Sequence, residues 1–300
     1  MEYAAAIEAF FRPAPALTPI EAVAKGSPAR QLRDAGEPIA MHAVWSPHTN
    51  AQIATLGLNF LTGYVYGRAA ALGEPPAAVV AATFAAFSTA LVTSLYDEGR
   101  AQVKREKLLS VRDQATIESL TQVLAGEDVN AAVIILRRGL ATADPTGRPL
   151  FAGLSTREWP TAPVGQLWRA CDLVREHRGD SHIAAYISAG LNPVEMNILT
   201  ELYLGMPLGT YSATRAWDEA ATNQAMARLA QKLLVVDSKL TENGHKLRQE
   251  IETRTDAMEQ SIVEAIGSDL PTLLAQLNAW SNKCIAAGAF PPDDYKRAAG

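Results

Sequence analysis

The ten residues at positions 235–244 read VVDSKLTENG. Residues 235–240 are the clearest strand signal in the sequence and predict a small two-stranded hairpin. Thr241 is a predicted N-cap, and the helix that it opens is expected to run from Glu242 to Ile266. A hairpin that leads directly into a long helix is therefore the feature from which the fold can be worked out.

The sequence predicts three helices just before this hairpin. Residues 192–195, Asn-Pro-Val-Glu, have the spacing of a capping box with a proline at the first helical position, and this helix is expected to end at Gly205. A short helix capped by Ser212 or Thr214 follows, and residues 220–234 form the next helix. The order of helix, short helix, helix and hairpin is that of a winged helix-turn-helix.

The N-terminal half is predicted to be a helical bundle. Its alanine-rich composition favours helix, and the hydrophobic spacing predicts a helical hairpin and several further helices. The expected segments are a helix over 47–73, one that begins at 75–76 and extends past 91, then helices over 98–109, 113–125 and 131–140, and a loop over 144–163. The whole chain is therefore predicted to be mostly α, with a bundle joined to a winged helix that has one small β-wing.

The expected domain organisation has three parts. Residues 1–45 form an irregular arm with short helices over 4–11 and 18–24, since prolines and glycines interrupt the pattern. Residues 46–160 form the bundle domain. Residues 161–300 comprise a linker helix, the winged-helix domain and C-terminal helices.

The linker helix contains the densest group of ionisable residues next to core positions. Residues 175–178 read Arg-Glu-His-Arg, and Gly179-Asp180 predicts a helix break after them. Asp180 would then cap a second helix, with His182 in its first turn. One interpretation of this group is a structural network of ion pairs.

The other interpretation is a binding pocket for a small polar or anionic ligand between the two domains. Arg175 or Arg178 would hold a carboxylate, phosphate or sulfate, and Arg68 would make a second contact. His182 would serve as the general acid or base. The residues that we would assign to ligand binding are Arg68, Arg175, Arg178, Trp168 and Tyr186, with His182 as the catalytic candidate.

The winged-helix segment resembles the MarR-type regulators, in which a wing ends in a Leu-Thr-x-x-Gly step into a long helix. Residues 193–266 carry this resemblance. The wider sequence resembles an actinobacterial family of two-domain helix-turn-helix proteins, through segments that include 67–73, 175–182 and Glu252-x-x-Thr255-Asp256. The MarR resemblance implies a ligand-responsive regulator that binds DNA as a dimer.

The charge of the expected recognition helix disfavours DNA binding. Residues 190–256 hold seven Lys or Arg and nine Asp or Glu, which gives a formal charge of −2. Phosphate neutralisation supplies much of the affinity for DNA, and the first turn of this helix is acidic. The residues available for DNA contact are Asn223, Gln224, Arg228, Lys232 and Lys239.

The composition of the chain disfavours several other classes of protein. The net charge is −5 and the pI is about 5.6, so no basic field would attract nucleic acid. The two cysteines, Cys171 and Cys284, indicate neither a disulfide framework nor a zinc site, and the spacing of the histidines predicts no metal. No sequence motif indicates a cofactor. Residues 77–96 lack charge, but their Ala, Thr and Ser content predicts a buried helix, so we expect a cytoplasmic protein without a membrane span.

Three functional hypotheses follow from these observations. The first is a small-molecule-binding protein, in one form a biosynthetic enzyme, on a winged-helix scaffold that has lost its basic DNA-binding face. The second is a MarR-like regulator. The third is a non-catalytic subunit of a complex, because the last two long helices have apolar stripes suited to a homodimer or another protein partner.

Overall fold

The structure is a computed structural model that describes residues 26–292, together with Ala5 and Glu8, which are helical. The remainder of the two short helices expected over 4–11 and 18–24 lies outside the described residues. The described part of the chain is mostly α-helical with one two-stranded sheet, which confirms the predicted fold class.

The N-terminal half consists of helices connected by short turns. They are α1 (Pro28–Ala40), α2 (His42–Trp45), α3 (Pro47–Ala54), α4 (Phe60–Ala69) with a 3-10 turn (Ala70–Leu72), α5 (Ala77–Phe84), α6 (Thr89–Gln102), α7 (Arg105–Val123), α8 (Asn130–Leu140) and α9 (Pro149–Ser155).

The expectation of an irregular segment up to residue 45 is wrong for residues 28–45, which are helical apart from Met41. Ser27 caps α1 by accepting a hydrogen bond from the backbone N–H of Arg30 at 3.1 Å. Gly36 does not break this helix, because it is where α1 approaches α10 closely. A Cβ at that position would lie 3.3 Å from Sγ of Cys171. Packing therefore outweighs the local breaker signals.

Four further boundaries in this half differ from the prediction. The break expected between residues 109 and 113 is absent, because α7 runs continuously from Arg105 to Val123. The helix expected over 47–73 is interrupted, and Asn59 caps α4 with a 2.9 Å hydrogen bond from the N–H of Thr62. The next predicted helix is interrupted at Ala85, whose φ is 44°. The predicted loop after residue 144 contains α9, because a carboxylate from the following helix binds its N-terminus.

The long helix α10 (Pro163–Ser188) runs without a break, so the predicted interruption at Gly179-Asp180 is wrong. His182 accordingly lies inside the helix and not in a first turn. The physical reason is that Asp180 caps a different helix. Its Oδ2 accepts a 3.0 Å hydrogen bond from the N–H of Phe151 in α9.

The C-terminal half follows the predicted order. It consists of α11 (Pro193–Leu204), α12 (Thr210–Ala213), α13 (Glu219–Gln231), β1 (Val235–Val236), β2 (Lys239–Leu240), α14 (Glu242–Ala257), α15 (Gln260–Ile266) with a 3-10 turn (Gly267–Asp269), and α16 (Leu270–Ala286). The strands are antiparallel, with Val235 opposite Leu240. The hairpin prediction is confirmed.

The predicted caps in this half are mostly confirmed. Asn192 and Glu195 form the capping box, and Gly205 ends α11 with a left-handed φ of 69°. Thr241 caps α14 by accepting a 3.1 Å hydrogen bond from the N–H of Gly244. The long helix expected up to Ile266 is wrong, because it ends at Ala257 and resumes at Gln260.

The expected cap of the short helix by Ser212 or Thr214 is also wrong, since α12 begins at Thr210. The carboxylate of Glu201 accepts hydrogen bonds from the N–H groups of Gly209 and Ser212, at 2.7 and 2.6 Å. A side chain from α11 thus binds the backbone at the start of α12. The turn between the two helices is fixed by this contact.

The central helix α10 contributes to several hydrophobic clusters. Leu167 and Trp168 pack with α1, α7, α8, α15 and α16, while Ala185 and Tyr186 pack with α11, α13 and α14. A further cluster is formed mainly by α4 to α6. None of the helices in the described part of the chain is long and apolar enough to cross a membrane. The division into domains stays a prediction.

Candidate functional site

A cavity of about 40 Å³ lies where α2, α3 and α4 face the central helix α10. Its apolar wall includes Ile53 and Leu150, and its charged residues are Arg68, Arg112, Asp172, Arg175 and Glu176. Because α10 presents three of these charged residues within little more than one turn, one helix face supplies most of the polar wall.

Two arginines share one buried carboxylate at this cavity. Arg68 forms a fork on Glu176, with Nε to Oε1 at 2.8 Å and Nη2 to Oε2 at 2.7 Å. Arg175 donates from Nη1 to Oε1 of the same carboxylate at 2.6 Å. Burial alone would raise the pKa of Glu176, but the two guanidinium groups lower it to about 2. Glu176 is therefore ionised at neutral pH.

Asp172 differs from its neighbours because it makes no hydrogen bond or ion pair with any residue that the structure describes. Its side chain is half-buried in the cavity wall. Burial, with a smaller effect from the nearby Glu176, raises the pKa of Asp172 to about 6. A carboxyl group of this kind can accept or donate a proton near neutral pH.

Arg178 belongs to a separate network, because its partners lie on α14. It donates from Nη2 to Glu252 and, at 3.0 Å, to Asp256 on α14. Arg30 and Arg248 also bind Glu252, at 3.1 and 2.7 Å. Burial would raise the pKa of Glu252, and the arginines lower it well below its usual range. The structural interpretation of ion pairs fits Arg178.

His182 also contacts α14 and is not among the residues that line the cavity. Its Nδ1 lies 3.3 Å from Oγ1 of Thr255, and its ring meets Tyr186 edge-on at 5.7 Å. Burial, together with the positive charge of Arg248, lowers the pKa of His182 to about 3. The imidazole is therefore neutral in the physiological range.

Trp168 and Tyr186 are core residues in this structure. Trp168 is fully buried and donates from Nε1 to the carbonyl of Ala40 at 3.1 Å, while Tyr186 is 2% exposed. Of the six residues predicted for the ligand site, the structure brings Arg68 and Arg175 together at the cavity. It places Arg178, His182, Trp168 and Tyr186 elsewhere.

The sequence interpretation overlooked Asp172, Tyr64 and Arg112 as cavity residues. Two of them carried a usable signal in their spacing. Tyr64 precedes Arg68 by four residues on α4, and Asp172 precedes Arg175 by three on α10, so each shares a helix face with a predicted residue. Arg112 comes from a distant helix and had no such signal.

The model of one helix-turn-helix family matches residues 29–291. The chain belongs to this helix-turn-helix family. Comparisons with curated proteins and with solved structures gave no match. Family membership agrees with the order of α11, α12 and α13.

In this helix-turn-helix protein, α13 is the helix on which the sequence predicted most of the DNA contacts. Asn223 and Gln224 are exposed on it. Arg228 and Lys232 instead bind Glu195 of α11, with Nε to Oε1 at 3.1 Å and Nζ to Oε2 at 2.9 Å. Two of the cations predicted to contact DNA phosphates are therefore already paired with a carboxylate.

Proposed function

We propose that this protein binds a small polar molecule in the cavity beside α10. The observation that carries the proposal is the carboxyl group of Asp172, which lies in the cavity wall without a partner among the described residues, close to three arginines. A concave, partly apolar site with a few polar groups and a perturbed pKa is typical of ligand-binding sites.

The charges of the cavity indicate the class of ligand. Arg68, Arg112 and Arg175 face two carboxylates, so the lining carries a formal charge of +1 when both are ionised. Arg68 uses Nε and Nη2 on Glu176, which leaves Nη1 as a further donor. A ligand that offers an acceptor to an arginine and a donor to Asp172 fits this arrangement, as a small amino acid or hydroxy acid would.

The volume limits the part of the ligand that is enclosed. A cavity of about 40 Å³ has space for about three water molecules at 10–15 Å³ each. The enclosed group is accordingly a few non-hydrogen atoms in size. In an enzymatic form of this proposal, Asp172 rather than His182 would transfer the proton, because the low pKa of His182 makes it a poor acid or base at neutral pH.

The test is a binding titration monitored by calorimetry, with glycine, glycolate, acetate and methylammonium as probes, and a thermal unfolding experiment with the same probes. We expect saturable binding of glycine or glycolate, which carry both an acceptor for an arginine and a donor for Asp172. Acetate and methylammonium carry only one of these two groups and should bind more weakly. Asp172→Asn should weaken the binding by about tenfold or more, since a charge-assisted hydrogen bond contributes 1.5–3 kcal/mol.

The matched control is Asp237→Asn, which changes an exposed aspartate in the hairpin turn. This variant should bind the probes as the unchanged protein does. If none of the probes binds, or if Asp172→Asn binds them equally well, the proposal is wrong.

DNA binding through a MarR-like winged helix is the second candidate, and family membership together with exposed Asn223 and Gln224 favours it. In this case a duplex from the neighbourhood of the gene should bind at low salt. Arg228→Ala and Lys239→Ala should reduce that binding and lower its salt dependence. The absence of binding at low salt would reject this candidate.

We also propose a cytoplasmic location and either a homodimer or a place as a subunit of a larger complex. The molar mass of the protein in solution would test the homodimer.

A further inference from the structure

A second cluster of charged side chains lies where α7, the segment after α9 and the start of α10 meet. Three arginines from these elements bind the carboxylate of Asp113. Arg112 donates to it at 3.1 and 2.9 Å, Arg157 at 2.8 Å, and Arg169 at 3.4 Å. One carboxylate therefore balances only part of the positive charge.

Other charged groups near the cluster do not remove this excess. Arg105 and Asp172 are close enough to affect its electrostatics, one positive and one negative. Burial, followed by the neighbouring charge of Arg157, lowers the pKa of Arg169 to about 10. A lowered pKa is expected for a buried cation that has too few negative charges and hydrogen-bond acceptors around it.

The hydrogen bonds show the same deficit. Nη1 of Arg157 and Nε of Arg169 are buried and have no hydrogen-bond partner in the part of the chain that the structure describes. Arg169 is 1% exposed, and its bonds to the carbonyl of Glu158 and to Asp113 are both long, at 3.4 Å. A buried charged donor without an acceptor is unfavourable, and a guanidinium group binds oxyanions well because its N–H groups match two oxygens.

We propose that Arg157 and Arg169 bind a small oxyanion, phosphate or sulfate, at the side of Asp113. Arg112 holds Asp113 in place, and each of its three nitrogen atoms already donates to Asp113 or to the carbonyl of Gly67, so we assign it no contact with the ion. The site is separate from the ligand of the cavity, because Arg157 and Arg169 are not among the residues that line it.

The burial of the donors favours a free ion over the phosphate of a nucleic acid. The two unpartnered nitrogen atoms each expose less than 1 Å². Donors this deeply buried are more accessible to a small free ion than to a polymer backbone. Arg157 is the more exposed of the two arginines, with 17% of its side chain accessible compared with 1% for Arg169.

The experiment is a titration of the full-length protein with sodium phosphate and with sodium sulfate, at an ionic strength held constant with sodium chloride. Isothermal titration calorimetry gives the affinity from the midpoint of the saturation curve. We expect saturable binding of both ions and much weaker binding of acetate, which lacks the tetrahedral set of oxygens.

Arg157→Gln should raise the midpoint concentration by about tenfold or more, because it removes a charged donor. Arg138→Gln is the matched control, since Arg138 is an exposed arginine paired with Asp269. Arg157→Lys, which keeps the charge but not the planar fork, should give an intermediate midpoint. A midpoint unaffected by Arg157→Gln, or a binding signal that does not saturate in the unchanged protein, would overturn the proposal.

Discussion

Asp180 is a buried acidic residue of α10, and its side chain caps a different helix, α9. It is 3% exposed and accepts a hydrogen bond from the N–H of Phe151 at 3.0 Å. Burial, together with the negative charge of Glu176, raises the pKa of Asp180 to about 7. In the unfolded chain the pKa of an aspartate is about 3.9. The folded protein therefore holds this proton over a pH range in which the unfolded chain has lost it.

Replacement of Asp180 by Asn should make this titration visible. Between about pH 4 and pH 7 the folded state binds more protons, so the contribution of Asp180 to stability falls as the pH rises, by up to about 1.4 kcal/mol per pH unit. Asn keeps an acceptor and does not titrate. We therefore expect the stability of Asp180→Asn, relative to the unchanged protein, to increase from pH 5 to pH 8 in denaturant unfolding.

Asp237→Asn serves as the control for that experiment, because Asp237 is exposed. Its stability relative to the unchanged protein should stay constant over the same pH range. Parallel curves for Asp180→Asn and the unchanged protein would show that Asp180 does not titrate in this interval.

At the level of elements, the continuity of α10 through Gly179 is the largest difference from the sequence prediction. A Cβ at Gly179 would meet only Oε2 of Glu176, at 4.0 Å, and the backbone there is helical. Glycine inside a helix is less favourable than alanine by roughly 0.5–1 kcal/mol. Gly179→Ala should therefore stabilise the protein by about that amount in denaturant unfolding.

Gly190 provides the opposite case, since it follows α10 with a left-handed φ of 75°. Gly190→Ala should destabilise the protein by about 1–2 kcal/mol, because a side chain disfavours this conformation. If Gly179→Ala were also destabilising, the helix would break at Gly179 as its sequence suggests. The pair of variants thus distinguishes a continuous helix from an interrupted one.

The sequence predicted those elements whose signals are local. The capping box at Asn192, the cap at Thr241 and the hairpin depend on residues within a few positions of each other. The interruption before Gln260 was not predictable in this way, because Glu259 turns inward to bind His177, with Nδ1 to Oε2 at 2.7 Å. Contacts between distant segments also explain the error at Arg178. The spacing along α10 predicted Arg175 and Arg178 at one site, because the sequence does not show that the partners of Arg178 come from α14.

At the level of the whole molecule, ion pairs connect the cavity with α14, the helix that follows the hairpin. Arg175 lies 3.4 Å from Glu37 of α1, and Arg30 of the same helix binds Glu252 of α14, which also binds Arg178. Breaking a buried ion pair by removing one partner typically costs about 3–5 kcal/mol. The helices α1, α10 and α14 are thus joined by polar contacts as well as by hydrophobic packing.

This arrangement predicts that the protein unfolds in one cooperative step. The continuous α10 packs in the cluster around Trp168 and in the cluster around Tyr186. Unfolding of this helix would therefore expose hydrophobic residues of both clusters to water. Trp45→Phe and Trp217→Phe, each compared with the unchanged protein, isolate the fluorescence of one tryptophan in each of two separate clusters. We expect both difference signals to change at the same urea concentration as the far-ultraviolet circular dichroism. Two separate transitions would instead indicate that residues 46–160 and 161–300 unfold as independent domains.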